Sequence, residues 1–301
     1  MADDDERTLI AGVAQTNTVL GDLDANLDDH LRLVDQARGA GCDCLLFPEM
    51  SLTGHSAGGR ALDLALARDD PRIDRLVRAS GPMRTTVGLI EEGPAAQFYN
   101  SAVTVADGRV VHVHRKVNLA TYGLLDDGKH FAPGRYVETF PIGRHWRAAT
   151  LICNDLWNPM LVGLAALHGA TILLAPVSSA REAVGADFDN PGGWETACRY
   201  SAMVYGMPIL FANRVGREGD LRFWGGSRIV DPFGHTIEGA GEAEGLTLAR
   251  LDFGAVRRAR LQLPTVRDSN LDLLVRETTR LQRILGVPDA VRRDWSWDPG
   301  A

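Results

Sequence analysis

Three ionisable side chains, Glu49, Lys116 and Cys153, each stand directly after an apolar run of strand type. Leu45-Leu46-Phe47-Pro48 precedes the carboxylate, Val111-His112-Val113-His114-Arg115 the ammonium, and Thr150-Leu151-Ile152 the thiol. A cysteine with a pKa near ~8.5 is a poor nucleophile at neutral pH unless a cation or a base activates it. A lysine cation lowers that pKa and can hold the negative oxygen of a tetrahedral intermediate. A carboxylate partly buried beside the thiol can take its proton and later deliver it to a leaving amine. The three groups are therefore sufficient for acyl transfer through a thioester, without histidine or metal. Taken singly, each has a plainer reading: a core thiol, a surface glutamate, a solvated lysine. In an α/β sheet, ligands bind outside the carboxyl ends of the strands, where three strand-end residues can converge.

The elements that must place them are legible from periodicity. Residues 9–15 read as a buried strand, and Asp22 and Asp24 supply turn and N-cap chemistry. From 25 to 40, Leu27, Leu31, Val34 and Ala37 recur at three- and four-residue steps, which predicts an amphipathic helix. Residues 42–47 form a second apolar strand, completing a strand–helix–strand unit of α/β type. Helices are expected at 62–66 and 71–79 and a strand at 86–91. Asp107-Gly108 then joins the hairpin arms 100–105 and 109–117. The second arm alternates, so His112, His114 and Lys116 should share a face. Residues 118–134 read as a Gly/Asp-rich loop. Strands are expected at 136–142, 146–152, 171–176, 209–213 and 246–252, a strand–turn–strand over 224–237, and helices at 160–168 and 194–205. Arg-rich helical stretches near 255–260 and 271–285 precede a polar tail. The expected organisation is an acidic tail (1–7), a single domain (8–260) and a C-terminal helical extension (261–301) that contacts another subunit.

Composition narrows the class. The chain has 301 residues, 45% of them hydrophobic and 24% charged, with net charge −7. That describes a globular protein with a sizeable core. With no basic run, nucleic acid is not an expected partner. The acidic start lacks the basic and apolar regions of a signal peptide, and no stretch reaches the ~18 apolar residues of a membrane span. Cytoplasm is the expected location. Cys42, Cys44, Cys153 and Cys198 form neither a disulfide framework nor a zinc pattern. His112 and His114 have the spacing of a metal pair, but no further ligand cluster follows, so neither metal nor cofactor is expected. Cys42 and Cys44 read as core, and Cys198 as core or interface.

Phe47-Pro48-Glu49-Met50-Ser51-Leu52-Thr53-Gly54, His114-Arg115-Lys116-Val117-Asn118-Leu119 and Leu151-Ile152-Cys153-Asn154-Asp155-Leu156-Trp157 resemble, in order and separation, the three signatures of the nitrilase (carbon–nitrogen hydrolase) superfamily. Phe131-Ala132-Pro133-Gly134, Leu174-Ala175-Pro176, Ala212-Asn213-Arg214-Val215-Gly216, Gly225-Gly226-Ser227 and Pro232-Phe233-Gly234 extend the likeness to roughly residues 8–260. The resemblance implies an α-β-β-α sandwich that forms a four-layer dimer. It also implies Glu49 as general base, Lys116 as oxyanion-stabilising cation and Cys153 as nucleophile, with the backbone N–H of Asn154 in the oxyanion hole. Many members carry a second glutamate in the loop between lysine and cysteine. Tyr122-Gly123-Leu124-Leu125-Asp126-Asp127-Gly128-Lys129-His130-Phe131 puts Asp127 there, one methylene short.

The residues after the cysteine bear on the branch. Cys-Asn-Asp resembles N-carbamoyl-D-amino acid amidohydrolases, but those continue with two arginines where Leu156 and Trp157 stand. The Tyr122 loop and Asp155-Leu156-Trp157 are more similar to the glutaminase domain of glutamine-dependent NAD synthetases. No synthetase domain follows, so a free-standing amidase acting on a small amide or carbamoyl-amide is expected. The alternatives are a glutaminase subunit feeding a separate synthetase, nitrile hydrolysis or acyl transfer, and a non-catalytic scaffold. Tyr122, Trp157 and Trp194 read equally as pocket walls and as core aromatics. The flanking loops, 56–70 and 178–191, hold no recognisable substrate motif.

Overall fold

The structure, a computed structural model, describes residues 7–285. One compact unit ends at Leu263 and a second begins at Pro264. In the first, β1 (Thr8–Gln15) leads through α1 (Leu23–Gly39) to β2 (Cys44–Leu46). A 3-10 turn, His55–Arg60, runs into α2 (Ala61–Leu64), followed by α3 (Pro71–Ser80), β3 (Arg84–Gly93), β4 (Gln97–Ala106) and β5 (Arg109–Arg115). Next come α4 (Asp127–His130), β6 (Thr139–Pro141), β7 (Arg147–Thr150), α5 (Pro159–Leu167), β8 (Ile172–Pro176) and α6 (Asn190–Tyr205). The rest of the unit is β9 (Ile209–Ala212), β10 (Val215–Glu218), β11 (Leu221–Trp224), β12 (Arg228–Val230), β13 (Thr236–Gly239), β14 (Gly245–Asp252) and α7 (Phe253–Gln262).

Two six-stranded sheets result, ordered β14-β1-β2-β3-β4-β5 and β13-β12-β9-β8-β7-β6. The period-2 pattern of β1 explains how they stack. Leu9, Ala11 and Val13 join Cys44 and Leu46 in a core shared with Ala148, Ile172, Leu174, Leu210 and Ala212 of the other sheet. Ala14 and Ile10, on the opposite face of β1, meet Leu27, Leu33 and Val34 of α1 and Ile73 and Leu76 of α3. On the second sheet, α6 packs against β9 and β12 and against α5. The layers are therefore α-β-β-α, the sandwich expected of the nitrilase type. Burying each large aliphatic side chain in these cores contributes roughly 1.5–3 kcal/mol. Among the described residues no helix is long and apolar enough to cross a membrane.

Several local expectations change. The helix predicted at 62–66 is displaced toward the N-terminus, as the 3-10 turn and α2. Ala65 then turns extended, and Leu66 bridges Glu91 as a strand would. The strand predicted at 136–142 contracts to β6, and a one-turn helix, α4, sits within the predicted loop. α6 begins at Asn190, four residues before the predicted start. Asp189 caps it by accepting from Gly192 N, and Pro191 fits its first turn in spite of the Gly-Gly that follows.

The second unit contains α8 (Leu271–Ile284), capped by the Asn270 side chain, which accepts from Leu273 N at 3.2 Å. Leu274, Val275 and Leu281 on this helix are exposed. The acidic tail up to residue 6 and the polar tail from 286 lie outside the described residues.

Candidate active site

Glu49 sits on a tight turn laid across β3. A Cβ on Gly88 would fall 2.3 Å from Met50 N and 2.5 Å from Pro48 O, so only glycine lets the turn pass this close. Leu52 N donates to Gly88 O and Phe47 N to Thr86 O, fixing the turn at both ends. The carboxylate is 2% exposed. Its Oε1 accepts from Lys116 Nζ at 2.7 Å and Asn100 Nδ2 at 2.8 Å, and its Oε2 accepts from Ser178 N at 2.9 Å.

Lys116 lies one residue beyond β5, yet Lys116 N still donates to Asn100 O at 2.9 Å. The ladder thus continues far enough to bury the side chain between two carboxylates, with Asp127 Oδ2 at 2.6 Å. Burial pulls the Lys116 pKa down, but the charges of Glu49 and Asp127 outweigh it and hold the ammonium well above its ordinary value. Two of its three protons are engaged by these carboxylates. The loop after Lys116 folds back on the strand end: Gly134 N donates to Lys116 O, Ala132 N to Phe98 O, and Asp127 N to Ala120 O.

Cys153 occupies the left-handed region at φ 46°, an unfavourable conformation for a side chain other than glycine. Asp155, fully buried, holds that turn. Its Oδ2 accepts from Ile152 N at 3.1 Å and from His114 Nε2 at 3.0 Å, and its Oδ1 from Val117 N and Asn118 N at 3.0 and 2.6 Å. One carboxylate thereby ties the thiol's turn to the chain just after Lys116. Desolvation, and then the charge of Glu49, push the Cys153 thiol well above its ordinary range, so the resting thiol is protonated. Glu49 lines the same cavity as the thiol, a carboxylate placed to serve as proton acceptor.

Glu49, Lys116, Asp127 and Cys153 line a single cavity of about 20 Å³. Tyr122, Trp157 and Trp194 line it as well. Trp157 lies 4.6 Å from Trp194 and 5.9 Å from Phe188, centroid to centroid, and Trp194 Nε1 donates to Ser179 Oγ. Tyr122 donates its hydroxyl proton to Asn154 Oδ1 at 2.8 Å, while Asn154 Nδ2 donates to Asn118 O. Burial raises the Tyr122 phenol to about 12, so it remains a donor. A larger cleft of about 230 Å³ along Arg68, Tyr99 and Arg115 includes none of the four chemical groups.

His112 and His114 do not act as a pair. His114 bonds Asp155, and His112 stacks on Phe140 at 4.4 Å. No group of three or more His, Cys, Asp or Glu among the described residues could hold a metal. Cys42, Cys44 and Cys198 are buried free thiols. The sequence reading missed Asn100, Asp155, Ser178, Asn190 and His55. Of these only Asp155 left a local signal, a carboxylate two residues after the thiol.

Residues 10–261, more than half of the chain, match the family model described as carbon–nitrogen hydrolase. The chain is 31% identical over 229 residues to the glutamine-dependent NAD(+) synthetase of Thermotoga maritima, covering 75% of this chain and 38% of that protein. It thus spans about two fifths of the length of that relative. Its fold is similar to the carbon–nitrogen hydrolase from Helicobacter pylori G27, with TM-score 0.77 at 22% identity over 89% of this chain and 97% of that one. It is also similar to an amidase of the nitrilase superfamily from Nesterenkonia AN1, with TM-score 0.74 at 23% identity over 89% and 96%.

Proposed function

The chain belongs to the carbon–nitrogen hydrolase family, and from that premise we propose that it hydrolyses a small non-peptide amide through a thioester on Cys153. One observation carries the reading: Lys116 Nζ lies between Glu49 and Asp127, and all three line one cavity with the thiol. Glu49 takes the Sγ proton as sulfur attacks the carbonyl carbon, and the third Lys116 N–H, with Asn154 N–H, stabilises the oxyanion. The intermediate collapses with cleavage of the C–N bond. Glu49 delivers its proton to the departing nitrogen, which leaves as ammonia or an amine. Water, deprotonated by Glu49, then attacks the thioester. The acid is released and sulfur regains the proton.

Intact-mass measurement after incubation with an amide panel tests the scheme. The expected product is an acyl adduct on Cys153, absent from Cys153→Ala. Hydrolysis retained by Cys153→Ala would sink the thioester. A glutaminase role serving a separate synthetase is the second reading, favoured by the likeness to the Thermotoga maritima enzyme. Glutamine turnover that appears only with a partner protein supports it.

We also propose that the protein is a homodimer. Met160, Leu164 and Leu167 on α5 and Tyr200 and Met203 on α6 are exposed on two helices that pack together, an apolar surface suited to association. Leu164→Glu is expected to yield monomers in sedimentation velocity; an unchanged sedimentation coefficient refutes this interface.

A further inference from the structure

Two residues that line the cavity beside Cys153 carry buried polar atoms for which the hydrolytic steps have no use. Ser178 and Asn190 both line it, each 2% exposed. Neither Ser178 Oγ nor Asn190 Oδ1 has a hydrogen-bond partner among the described residues. The Ser178 backbone N–H is engaged by Glu49, which leaves its hydroxyl independent of that contact. Asn190 Nδ2 donates to Ser179 Oγ at 2.8 Å and to Ala180 O at 2.6 Å. Both amide protons are therefore placed against acceptors, so the amide cannot be flipped and Oδ1 remains an open acceptor. The His55 ring also lines the cavity, edge-on to Phe223, with no hydrogen bond to its nitrogens among the described residues. Burial lowers its pKa, which keeps it uncharged.

Buried polar groups without partners are uncommon, and each carries a desolvation penalty that a matching ligand group removes. The ligand these atoms fit has a definite chemistry. Asn190 Oδ1 requires a donor, and Ser178 Oγ can accept from it or give to it. The ligand is also uncharged. Besides Lys116, already held by Glu49 and Asp127, no lysine or arginine among the described residues lines the cavity. A carboxylate on the acyl chain would be desolvated without a counter-ion. The cavity is small, about 20 Å³, which favours a short acyl group. Free glutamine, with a carboxylate at the far end, fits these features poorly.

We propose that this pocket selects small neutral amides whose acyl group carries a hydrogen-bond donor, such as a hydroxyl on the carbon next to the carbonyl, received by Asn190 Oδ1 and Ser178 Oγ. The inference rests on the hydrolytic reading above. Three probes test it: propionamide, lactamide, which adds one hydroxyl, and succinamate, which adds an anion. Ammonia release gives kcat/KM, and intact mass reports the adduct on Cys153. Lactamide is expected to exceed propionamide by about tenfold, the worth of one well-made hydrogen bond to a buried group. Succinamate is expected to be the poorest of the three. Asn190→Ala and Ser178→Ala should each draw the lactamide-to-propionamide ratio toward one. Equal turnover of the two, a preference for succinamate, or a ratio that neither substitution moves overturns the pocket assignment, while an adduct on Cys153 keeps the thioester scheme standing. No adduct from any probe sinks the hydrolytic reading and the pocket assignment with it.

Discussion

Asp127 Oδ2 lies 2.6 Å from Lys116 Nζ, although aspartate is one methylene shorter than the glutamate common at this place in the family. The backbone makes up the difference. Asp127 Oδ2 also accepts from Ala120 N at 3.1 Å, and Asp127 N donates to Ala120 O, so the loop is drawn onto the strand end. Asp127→Asn removes one of the two charges that hold Lys116 protonated. We expect kcat/KM to fall by roughly 10²-fold, the scale of losing one preorganised electrostatic group. Asp127→Glu, which must push the loop outward, is expected to be impaired as well. Steady-state kinetics decide, and an Asp127→Asn enzyme within threefold of wild type refutes the role.

Glu49 acts on Cys153 in two opposite senses. Its charge raises the thiol pKa, and in the proposed scheme it is also the base that removes the proton. Glu49→Gln should therefore speed alkylation of Cys153 by iodoacetamide at pH 8 while turnover drops by about 10²–10⁴. In the wild type the raised thiol makes the alkylation rate climb through pH 9 without a plateau near neutrality. Alkylation and turnover falling together in Glu49→Gln contradicts this assignment.

Gly88→Ala places a Cβ against the backbone of Pro48 to Met50, atoms that cannot swing aside. We expect a loss of roughly 1–3 kcal/mol of stability, as for overpacking, and a larger loss of activity because the obstructed turn carries Glu49. Gly39→Ala, at the end of α1 with nothing within 4 Å of its Cβ, serves as the control and should be neutral or mildly stabilising. Chemical denaturation of both variants checks the contrast.

His30 gives the fold an acid-sensitive point. Its Nδ1 donates to Asn26 O at 2.6 Å, its Nε2 accepts from Ser51 Oγ at 2.9 Å, and its ring stacks on Phe47. Burial lowers its pKa from 6.5 to about 4. A depressed histidine stabilises the fold fully above its unfolded pKa, and the contribution disappears as pH falls toward the folded value. That depression corresponds to about 3 kcal/mol lost between pH 6.5 and 4. His30→Gln should flatten that part of the stability–pH curve, and an unchanged slope in urea titrations refutes it.

Legibility followed range in the chain. Strand ends at Glu49 and Cys153 and the amphipathic α1 were readable because the 2.0 and 3.6 periods are local properties. Boundaries failed where glycine and proline misled. Pro191-Gly192-Gly193 hid the first turn of α6, because the Asp189 cap overrides the weak helix propensity behind it. The 3-10 turn over His55–Arg60 was missed because nothing in its own residues sets its course. Its backbone is held by Glu218, which accepts from His55 N and Ser56 N and is itself paired with the buried Arg214.

By itself the sequence determined the reaction class: a carboxylate, an ammonium and a thiol at strand ends, in the order of one hydrolase family. Only the tertiary structure decided how they are held and what lies around them. Ser178 N meets Glu49 across 129 residues, Asn100 meets it across 51, and Asp155 gathers four donors from two separate segments. The open acceptor of Asn190 was equally invisible. The reason is physical: a hydrogen bond between distant residues depends on the register of two sheets and the path of the loops between them. No local period encodes that register, so the chemistry could be read from the chain while the shape and polarity of the pocket could not.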